Sequence, residues 1–293
     1  MEISNIGYDR VVRVGNLNIY VLAGSDLNPR YRSCVYSFRK FWQSMNSVPG
    51  FTFWPQVISI SQSIEEDFGD IRFRSSSDIP NAFAAQITRL IFPGTQEVDL
   101  VMTSDIDMVP LNPHYFTMAA HLAISKDSFV VMRKLGIPDE YPICYLIASP
   151  ENWRKVINQN FDPQLSVSEI TRLILRRYEE IDPYSGIRGD SGWSIDQKFI
   201  FEMLSKSKVV NMIEQKDSET GFRRLDRIHH NGIKKWLSLF LILQRSFTDY
   251  HLHLPVEKNL RFLRCALTAV KLGNLLYIWK RGYLSKFKLT IKN

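Results

Sequence analysis

The sequence of 293 residues lacks the features of several simple classes of protein. It has only three cysteines, far apart and without a C-x-x-C pair, which favours reduced and mostly buried thiols over a zinc site or a redox pair. No run reaches the roughly 18 apolar residues of a membrane-spanning helix, since WLSLFLIL is the longest candidate. The first residues, MEISNIGYDRVVRVGN, contain no apolar segment typical of a secretory signal, so we expect a cytoplasmic protein, either soluble or peripheral to a membrane.

Repeats and low-complexity segments are also absent, and the composition is that of a globular protein. Hydrophobic residues make up 45% of the chain, charged residues 23% and aromatic residues 12%, which allows a sizeable core. The net charge of +7 is concentrated at one end. From Lys234 onward 12 Lys and Arg stand against 2 Asp and Glu, whereas the preceding residues carry 25 against 28. Any anionic partner that this basicity implies therefore belongs to the C-terminal region.

Strand and helix patterns alternate along most of the chain. Buried strands are predicted at 17–24, 54–61, 98–103, 127–133 and 141–149, and helices at 28–45, 79–94, 149–160, 166–181 and 194–206. This alternation predicts an α/β fold with a mixed, mainly parallel central sheet flanked by helices. In such sheets ligands bind at the carboxyl ends of the strands, where Ala23-Gly24 and the pair Asp105 and Asp107 stand.

The stretch VDLVMTSDIDMVPL (98–111) carries the main functional signal. A D-x-D triplet occurs by chance about once in a chain of this length, and it can be a polar turn that caps backbone amides. This one follows an apolar strand and precedes another apolar segment, which a solvent-exposed turn does not require. Ionised carboxylates there need a partner, and Mg²⁺ or Mn²⁺ suits two oxygen ligands and leaves positions open for phosphate oxygens. Such a cation would neutralise a diphosphate leaving group.

The order of these elements resembles the nucleotide-sugar glycosyltransferases of the GT-A fold, which have a Rossmann-like nucleotide-binding half. The resemblance covers about residues 15–236 and is carried by strand 17–24, the helix that ends in RLIFP, strand 98–103 and SDID. It implies that Asp105 and Asp107 hold Mn²⁺ or Mg²⁺ on the diphosphate of a donor, with UDP-sugars favoured. It also implies that Ala23 and Gly24 contact the base and that Arg89 approaches the nucleotide.

A second stretch, IHHNGIKKW (228–236), resembles the H-x-x-G-x-x-K-P-W segment of glycosyltransferase family 8. The resemblance implies that His229 is a third metal ligand and that Lys235 contacts the diphosphate. The segment lacks the family's proline, and Trp236 comes one residue early, so His230 stays an alternative ligand. An imidazole beside two carboxylates suits Mn²⁺ better than Mg²⁺. A pair of partly exposed loop histidines is the structural alternative.

The stretch GIRGDSGWSIDQKFIFEML (186–204) is the candidate acceptor wall, because its Trp193 could stack on a sugar. An inverting glycosyltransferase needs a general base, and Asp190 and Asp196 are the two candidates. Asp196 also has a structural explanation, since Ser194 to Gln197 forms an S-x-x-Q capping box and acids suit a first helical turn. A retaining mechanism, which the family 8 resemblance implies, would need no such base. The sequence leaves the stereochemistry open.

The resemblance implies a catalytic domain at 1–236, with a nucleotide-sugar-binding half at about 15–110 and an acceptor half at 111–236. Residues 237–293 are predicted to form a basic helical extension packed on it, with Leu260, Leu263, Leu267 and Val270 on one stripe. The size of the chain is similar to that of the small glycosyltransferases with which large algal viruses build capsid glycans, which would place it in the host cytoplasm. The expected partners are a nucleotide-diphosphate sugar and a glycan acceptor.

Two other functions stay open at this point. A metal-dependent phosphohydrolase or nuclease could use the same aspartates, although a second metal would need further carboxylates after strands. A non-enzymatic basic protein could bind a membrane or nucleic acid through its C-terminal region, with the aspartates in a structural role. The basic region predicts a peripheral contact with anionic lipid. A nucleic acid partner is not expected, because no nucleic-acid-binding motif accompanies the charge.

Overall fold

The computed structural model describes residues 16–26, 28–61, 69–74, 78–179, 189, 191–226, 233–252 and 254–290. Among them the strands are β1 (Leu17–Ser25), β2 (Phe51–Ser61), β3 (Ile71–Arg74), β4 (Leu100–Ser104), β5 (Met108–Pro110), β6 (Ser128–Lys134), β7 (Leu146–Ala148), β8 (Asn211–Lys216), β9 (Arg224–Leu225) and β10 (Asp249–His251). The helices are α1 (Pro29–Ser44), α2 (Asn81–Ile91), α3 (Pro113–Ser125), α4 (Pro150–Asn158), α5 (Val167–Glu179), α6 (Ile195–Ser205), α7 (Asp217–Thr220), α8 (Ile233–Leu243) and α9 (Leu260–Thr290).

Seven strands form a central sheet in the order β3-β2-β1-β4-β7-β6-β8. Strands β1 to β4 pair in parallel, β7 runs antiparallel to both of its neighbours, and β8 is parallel to β6. The predicted fold class, a mixed and mainly parallel α/β sheet flanked by helices, is confirmed. Because β1 and β4 are parallel neighbours, their carboxyl ends meet at one edge of the sheet, and Ala23 pairs with Ser104 there.

Local signals explain where several helices begin. Asn112 caps α3 by accepting from the backbone N–H of His114, with Pro113 at the first helical position. Ser149 caps α4 in the same way through Asn152, as its S-P-E sequence predicts. The structure adds β3, β5, α3 and the strands after residue 206, which the sequence patterns did not indicate. None of the helices described is both long and apolar enough to cross a membrane.

Side chains on the two faces of the sheet fill two separate core clusters. One contains Trp42 of α1 with Phe116 and Tyr145, whose rings lie 4.8 and 6.0 Å from that of Trp42. The other contains Trp153 of α4, whose ring lies 4.5 Å from that of Phe129. Such large fully buried aromatic groups dominate the apolar area removed from water on folding. They pack helices α1 and α4 against the two faces of the sheet.

A second, three-stranded sheet has the order β5-β10-β9. Its strand β10 runs antiparallel to β5, with His251 opposite Met108, and parallel to β9. This pairing carries residues 249–251 to the segment that directly follows Asp105 and Asp107. The predicted boundary between a catalytic domain and an extension after residue 236 stays a prediction, and β10 joins the two segments across it.

The basic C-terminal region is helical, as predicted, and the first part of α9 packs on the core. Of the stripe expected to dock, Leu263 and Val270 are buried and Leu267 is partly buried, but Leu260 is 41% exposed because it lies at the first residue of the helix. Asn274, fully buried, anchors α9 to the end of α1 by donating to the carbonyl of Ser44 and to Ser47 Oγ. The helix is therefore tied to the folded domain at least as far as residue 274.

Gly24 provides a first test of the fold. A Cβ at this position would lie 2.2 Å from the backbone carbonyl oxygen of Ala85 in α2, which no rotamer change can relieve. We expect Gly24→Ala to lower the free energy of unfolding by about 1–3 kcal/mol, the usual cost of overpacking. Urea denaturation followed by circular dichroism measures this. Gly136→Asn is the matched control, because nothing lies within 4 Å of Gly136 and Asn tolerates its positive φ; equal losses in both variants would contradict the close contact.

Candidate active site

A cavity of about 330 Å³ opens at the carboxyl ends of β1 and β4. It lies where parallel α/β sheets usually bind ligands. Residues from distant parts of the chain line it, among them Gly24, Arg89, Asp105, Asp107 and Asp196. The sequence prediction that the end of β1, the arginine of α2 and the D-x-D pair form one site is therefore consistent with the cavity.

Arg89, on the last turn of α2, links the two sides of this cavity. Its Nη1 donates to Asp105 Oδ1 at 2.5 Å and to the carbonyl of Ser104 at 3.2 Å, while its Nη2 donates to Asp196 Oδ2 at 2.6 Å. The side chains of Arg89 and Asp196 are 9% and 2% exposed, so this is a buried cation between two carboxylates. The contact fixes α6, which carries Asp196, against the D-x-D loop.

Burial and the positive charge of Arg89 shift the pKa values of the two carboxyl groups in opposite directions. Burial by itself would raise the pKa of Asp105, but the charge and hydrogen bond of Arg89, with smaller effects from Arg224 and Cys144, lower it below its usual range. Burial raises the pKa of Asp196, and Arg89 offsets this only in part. Burial also raises the pKa of the Cys144 thiol to about 11, so the thiol stays protonated beside Asp105 at neutral pH.

Asp107 faces a histidine rather than an arginine. Its Oδ2 lies 3.3 Å from His251 Nε2, and its backbone carbonyl accepts from the N–H of Leu252 at 2.8 Å. The carboxylate of Asp226 lies 3.9 Å from the other ring nitrogen of His251. Asp107 and His251 are each 14% exposed, so both reach the cavity. A carboxylate and an imidazole that face each other, with a second carboxylate behind the ring, form a donor set that suits a divalent metal ion.

A metal ion in this cavity would have to be held by these same residues. Asp105 and Asp107 are both at the cavity, but one oxygen of Asp105 is held by Arg89. Across the ranges that the structure describes, three His, Cys, Asp or Glu side chains do not come together as a ready-made metal site. The carboxylates of Asp105 and Asp107 and the imidazole of His251 are ligand types that Mn²⁺ accepts, and a metal ion there stays a proposal.

Two more arginines, Arg133 and Arg224, line the cavity. Arg133 forms a forked pair with Asp217 at 3.2 and 2.8 Å and lies over the ring of Phe222, 3.8 Å from its centroid. Arg224 pairs with Asp249, which is fully buried and also accepts from the Tyr145 hydroxyl at 3.0 Å. Carboxylates behind both guanidinium groups fix their orientation, and this preorganisation suits recognition of phosphate or carboxylate groups.

The segment before α6 closes one side of the cavity with Trp193. Gln86 of α2 donates to the carbonyl of Trp193 at 3.2 Å, and Ser194 donates its hydroxyl to Glu140 at 2.7 Å. The predicted capping box from Ser194 to Gln197 is not formed, because the Ser194 side chain makes no cap hydrogen bond and is engaged by Glu140. Asp196 instead accepts from the N–H of Gln197 and from Arg89.

The other residues predicted for the site have different placements. Ala23 is fully buried in the core cluster that contains Trp42, and it is not among the residues that line the cavity. Asp190, His229 and His230 lie outside the described residues, and so does the side chain of Lys235, whose backbone belongs to α8. Their predicted roles stay predictions.

Sequence reasoning missed His251, Arg133 and Arg224. The alternation in DYHLHLP is a period-2 strand signal that points His251 and Tyr250 to opposite faces, but a three-residue strand is too short to be predicted with its partner. Arg133 follows the apolar run SFVVM and is the last but one residue of β6, near the end of its strand, whereas Asp105 comes directly after β4. A search for polar residues at the ends of predicted strands could have identified Arg133, whereas no local sequence pattern indicates Arg224.

No family model and no curated protein matches the chain. The structure is similar to the glycosyltransferase GlyE of Streptococcus pneumoniae TIGR4, with 11% identity over 91% of this chain and 64% of that one and a TM-score of 0.43; its apo form gives a TM-score of 0.40. This chain thus spans less than two thirds of the length of that structure. It is also similar to a glycosyltransferase involved in the glycosylation of the major capsid of PBCV-1, with 9% identity over 80% of this chain and 91% of that one and a TM-score of 0.36.

Proposed function

We propose that the protein is a metal-dependent glycosyltransferase of the GT-A type, which transfers a sugar from a nucleotide-diphosphate sugar, with a UDP-sugar favoured, to a glycan hydroxyl. One observation carries the proposal: the D-x-D pair lies in a cavity at the carboxyl ends of β1 and β4, with His251 facing Asp107 and three fixed arginines around it. Carboxylates next to arginines suit a ligand that is itself a complex of cation and polyanion, such as a metal-bound diphosphate.

We assign Asp107, Asp105 and His251 to the metal ion. His229, for which the family 8 resemblance implies a ligand role, lies outside the described residues and stays a predicted ligand. When bound, Mn²⁺ or Mg²⁺ supplies Lewis-acid stabilisation of the negative charge on the departing diphosphate. The carboxylate of Asp226 lies 3.9 Å from the second ring nitrogen of His251, the one that does not face Asp107.

We assign the arginines and Gln86 to contacts with the bound sugar nucleotide and the glycan acceptor. Arg133 and Arg224 would stabilise anionic oxygens without reorganising, because Asp217 and Asp249 already hold them. In the described part of the chain Gln86 Oε1 and Arg89 Nε are buried and lack hydrogen-bond partners. Buried polar atoms without partners are costly, so their presence at a cavity wall supports a polar ligand there.

Asp196 is assigned to positioning rather than to general base catalysis. Its Oδ2 accepts from Arg89 and its Oδ1 from the N–H of Gln197, so both oxygens are engaged. A base must reach the proton that it removes, and a carboxylate with 2% exposure is poorly placed to do so. Asp190 therefore remains the candidate base if transfer proceeds with inversion.

Thermal unfolding with a panel of nucleotide sugars tests the donor and the metal together. A ligand that binds only the native state raises the melting temperature, and at 100 times its Kd it adds about 2.7 kcal/mol. We expect a rise that needs both Mn²⁺ and one class of sugar nucleotide and that EDTA abolishes. His251→Ala should lose most of the rise while keeping its melting temperature in EDTA within about 2 °C of the wild type, since His251 is a partly exposed residue of a short strand.

Asp162→Asn is the control for this series, because Asp162 is exposed, lies outside the cavity and accepts from the N–H of Gln164 through an oxygen that Asn retains. A rise in His251→Ala equal to that of the wild type would contradict the assignment of His251. No rise with any nucleotide sugar would contradict the proposed function. Phosphate release from nucleotides, without transfer to an added glycan, would favour the phosphohydrolase instead.

A further inference from the structure

The long helix α9 has two faces that differ in their surroundings. One face packs on the protein through Phe262, Ala266, Ala269 and Gly273, at spacings of four, three and four residues, and through the adjacent Asn274; all five are buried. At Gly273 a Cβ would lie 2.7 Å from the carbonyl oxygen of Leu243, so α8 and α9 touch backbone to backbone there. The opposite face of α9 is turned to solvent over its described length.

This solvent face changes character along the helix. Over the first turns it carries Arg261, Arg264, Thr268 and Lys271, as expected for a surface helix. From residue 272 the same face carries large apolar side chains at spacings of three, four and seven residues, namely Leu272, Leu275, Leu276 and Trp279, with Leu275 60% exposed and Trp279 68% exposed. Ile278, next to Trp279 in the sequence, is also exposed. These side chains lie on the outer side of a helix whose inner face already packs on the core, so their exposure is not explained by packing of the core.

The neighbouring helix α8 adds to this apolar surface. Leu237 and Phe240 are 61% and 59% exposed, and the start of α8 is fixed beside α9 by Trp236, whose ring lies 6.3 Å from that of Phe262. Nine of the fifteen exposed large hydrophobic side chains described belong to these two helices. Exposed apolar residues are normal when scattered, but such a concentration marks a contact surface.

Positive charge precedes the stripe on the same face of α9. Arg261, Arg264 and Lys271 are exposed on the outer side of α9, and Arg261 lies over the ring of Trp236 at 5.7 Å. The sequence continues with Lys280, Arg281, Lys286 and Lys288 along the helix, and it has no acidic residue after Glu257. Aromatic and leucine side chains flanked by lysine and arginine without acids match the interface of a bilayer with anionic headgroups.

We propose that the apolar stripe of α9, defined by Leu272, Leu275, Leu276 and Trp279, rests in the interface of an anionic lipid bilayer, with the basic residues on its headgroups. The helix lies along the membrane surface, because its other face is buried against α1 and α8. This surface is separate from the cavity, so the inference does not depend on the proposed glycosyltransferase activity. Its consequence is that the protein meets its partners at a membrane.

Sedimentation of the full chain with vesicles tests the proposal. The probes are vesicles of phosphatidylcholine alone and vesicles with 30% phosphatidylserine, at low and at high salt. We expect binding to the anionic vesicles that is at least about tenfold stronger than to the neutral ones and that weakens with salt. The variant Leu272→Ser, Leu275→Ser, Leu276→Ser, Trp279→Ser should lose binding about tenfold or more. Because these side chains are exposed, its melting temperature should match the wild type.

The matched control replaces exposed apolar residues elsewhere, with Tyr36→Ser, Leu173→Ser and Val209→Ser in one chain. Its vesicle binding should equal that of the wild type. Equal binding by the α9 variant and the wild type would overturn the proposal, and so would the absence of binding to anionic vesicles. A dimer in light scattering that becomes a monomer only in the α9 variant, without vesicle binding, would assign the stripe to a second copy of the chain and also overturn it.

Discussion

Under the proposed function, replacing Asp107 by Asn is expected to lower the rate of sugar transfer by on the order of 10³-fold, about 4 kcal/mol of transition-state stabilisation. The amide has the same size as the carboxylate, so the turn after β4 should be kept. It lacks the charge that draws a divalent cation to the side of His251, 3.3 Å away. Initial rates with saturating nucleotide sugar at several Mn²⁺ concentrations measure this loss. A partial recovery at high Mn²⁺ would show that the loss comes from weakened metal binding.

The control for Asp107→Asn is again Asp162→Asn, which removes the same charge outside the cavity and should keep full activity. Circular dichroism of both variants checks that the fold is intact. Transfer by Asp107→Asn within about threefold of the wild type would contradict a metal role for this residue. The D-x-D pair would then be a structural turn, with Asp105 serving only as a partner of Arg89.

Replacing Arg89 by Met is expected to lower the free energy of unfolding by about 3–5 kcal/mol. Met keeps much of the volume, but Asp105 and Asp196 lose the cation that lies between them, at 2.5 and 2.6 Å. Breaking a buried ion pair from one side is costly because it leaves charge without compensation. Chemical denaturation at pH 7 measures the loss. Arg172→Met is the matched control, since Arg172 pairs with Asp78 in a largely exposed site where such pairs contribute about 0–1 kcal/mol.

The pH dependence separates uncompensated charge from lost packing in Arg89→Met. Without Arg89, burial raises the pKa of both carboxyl groups above their unfolded values, so folding takes up protons and stability falls as the pH rises. The deficit relative to the wild type should therefore shrink from pH 7 toward pH 4. Adding Asp105→Asn and Asp196→Asn should recover about half of the loss or more at pH 7. A deficit that is constant with pH and is not recovered would attribute the effect to packing alone.

The order of strands and helices was predictable because the pattern of apolar residues within each segment, a local property of the sequence, indicates which residues are buried. The strand 17–24 and the helix 79–94 correspond to β1 and α2, and the run SFVVMR corresponds to β6, because fully buried strands read as continuous apolar runs. The helix α3 was not predicted, although Asn112-Pro113 is a good helix start, because its sequence HYFTMAAHLAIS has only a weak polar face. Short strands such as β5, β9 and β10 depend on partners that no local pattern names.

In the candidate site, too, some residues could be connected from the sequence and others only from the structure. Asp105, Asp107, Gly24 and Arg89 could be connected from sequence because each lies at a strand end or on the helix before the D-x-D pair. Asp196 was noticed, but its partner was not, since Arg89 is 107 residues away. The third metal ligand was predicted at His229 or His230, which lie outside the described residues, so that prediction stays a prediction. Among the described residues, the imidazole that faces Asp107 is that of His251, brought there by the pairing of β10 with β5.

The sequence by itself determined the α/β class, the D-x-D pair at a strand end and the basic, helical C-terminus, because apolar periodicity and charge are local properties of a chain. Only the tertiary structure decided which groups face each other: Arg89 between Asp105 and Asp196, His251 against Asp107, and an apolar stripe on the outer side of α9. These contacts depend on strand order and helix docking, which are set by packing between segments far apart in the chain.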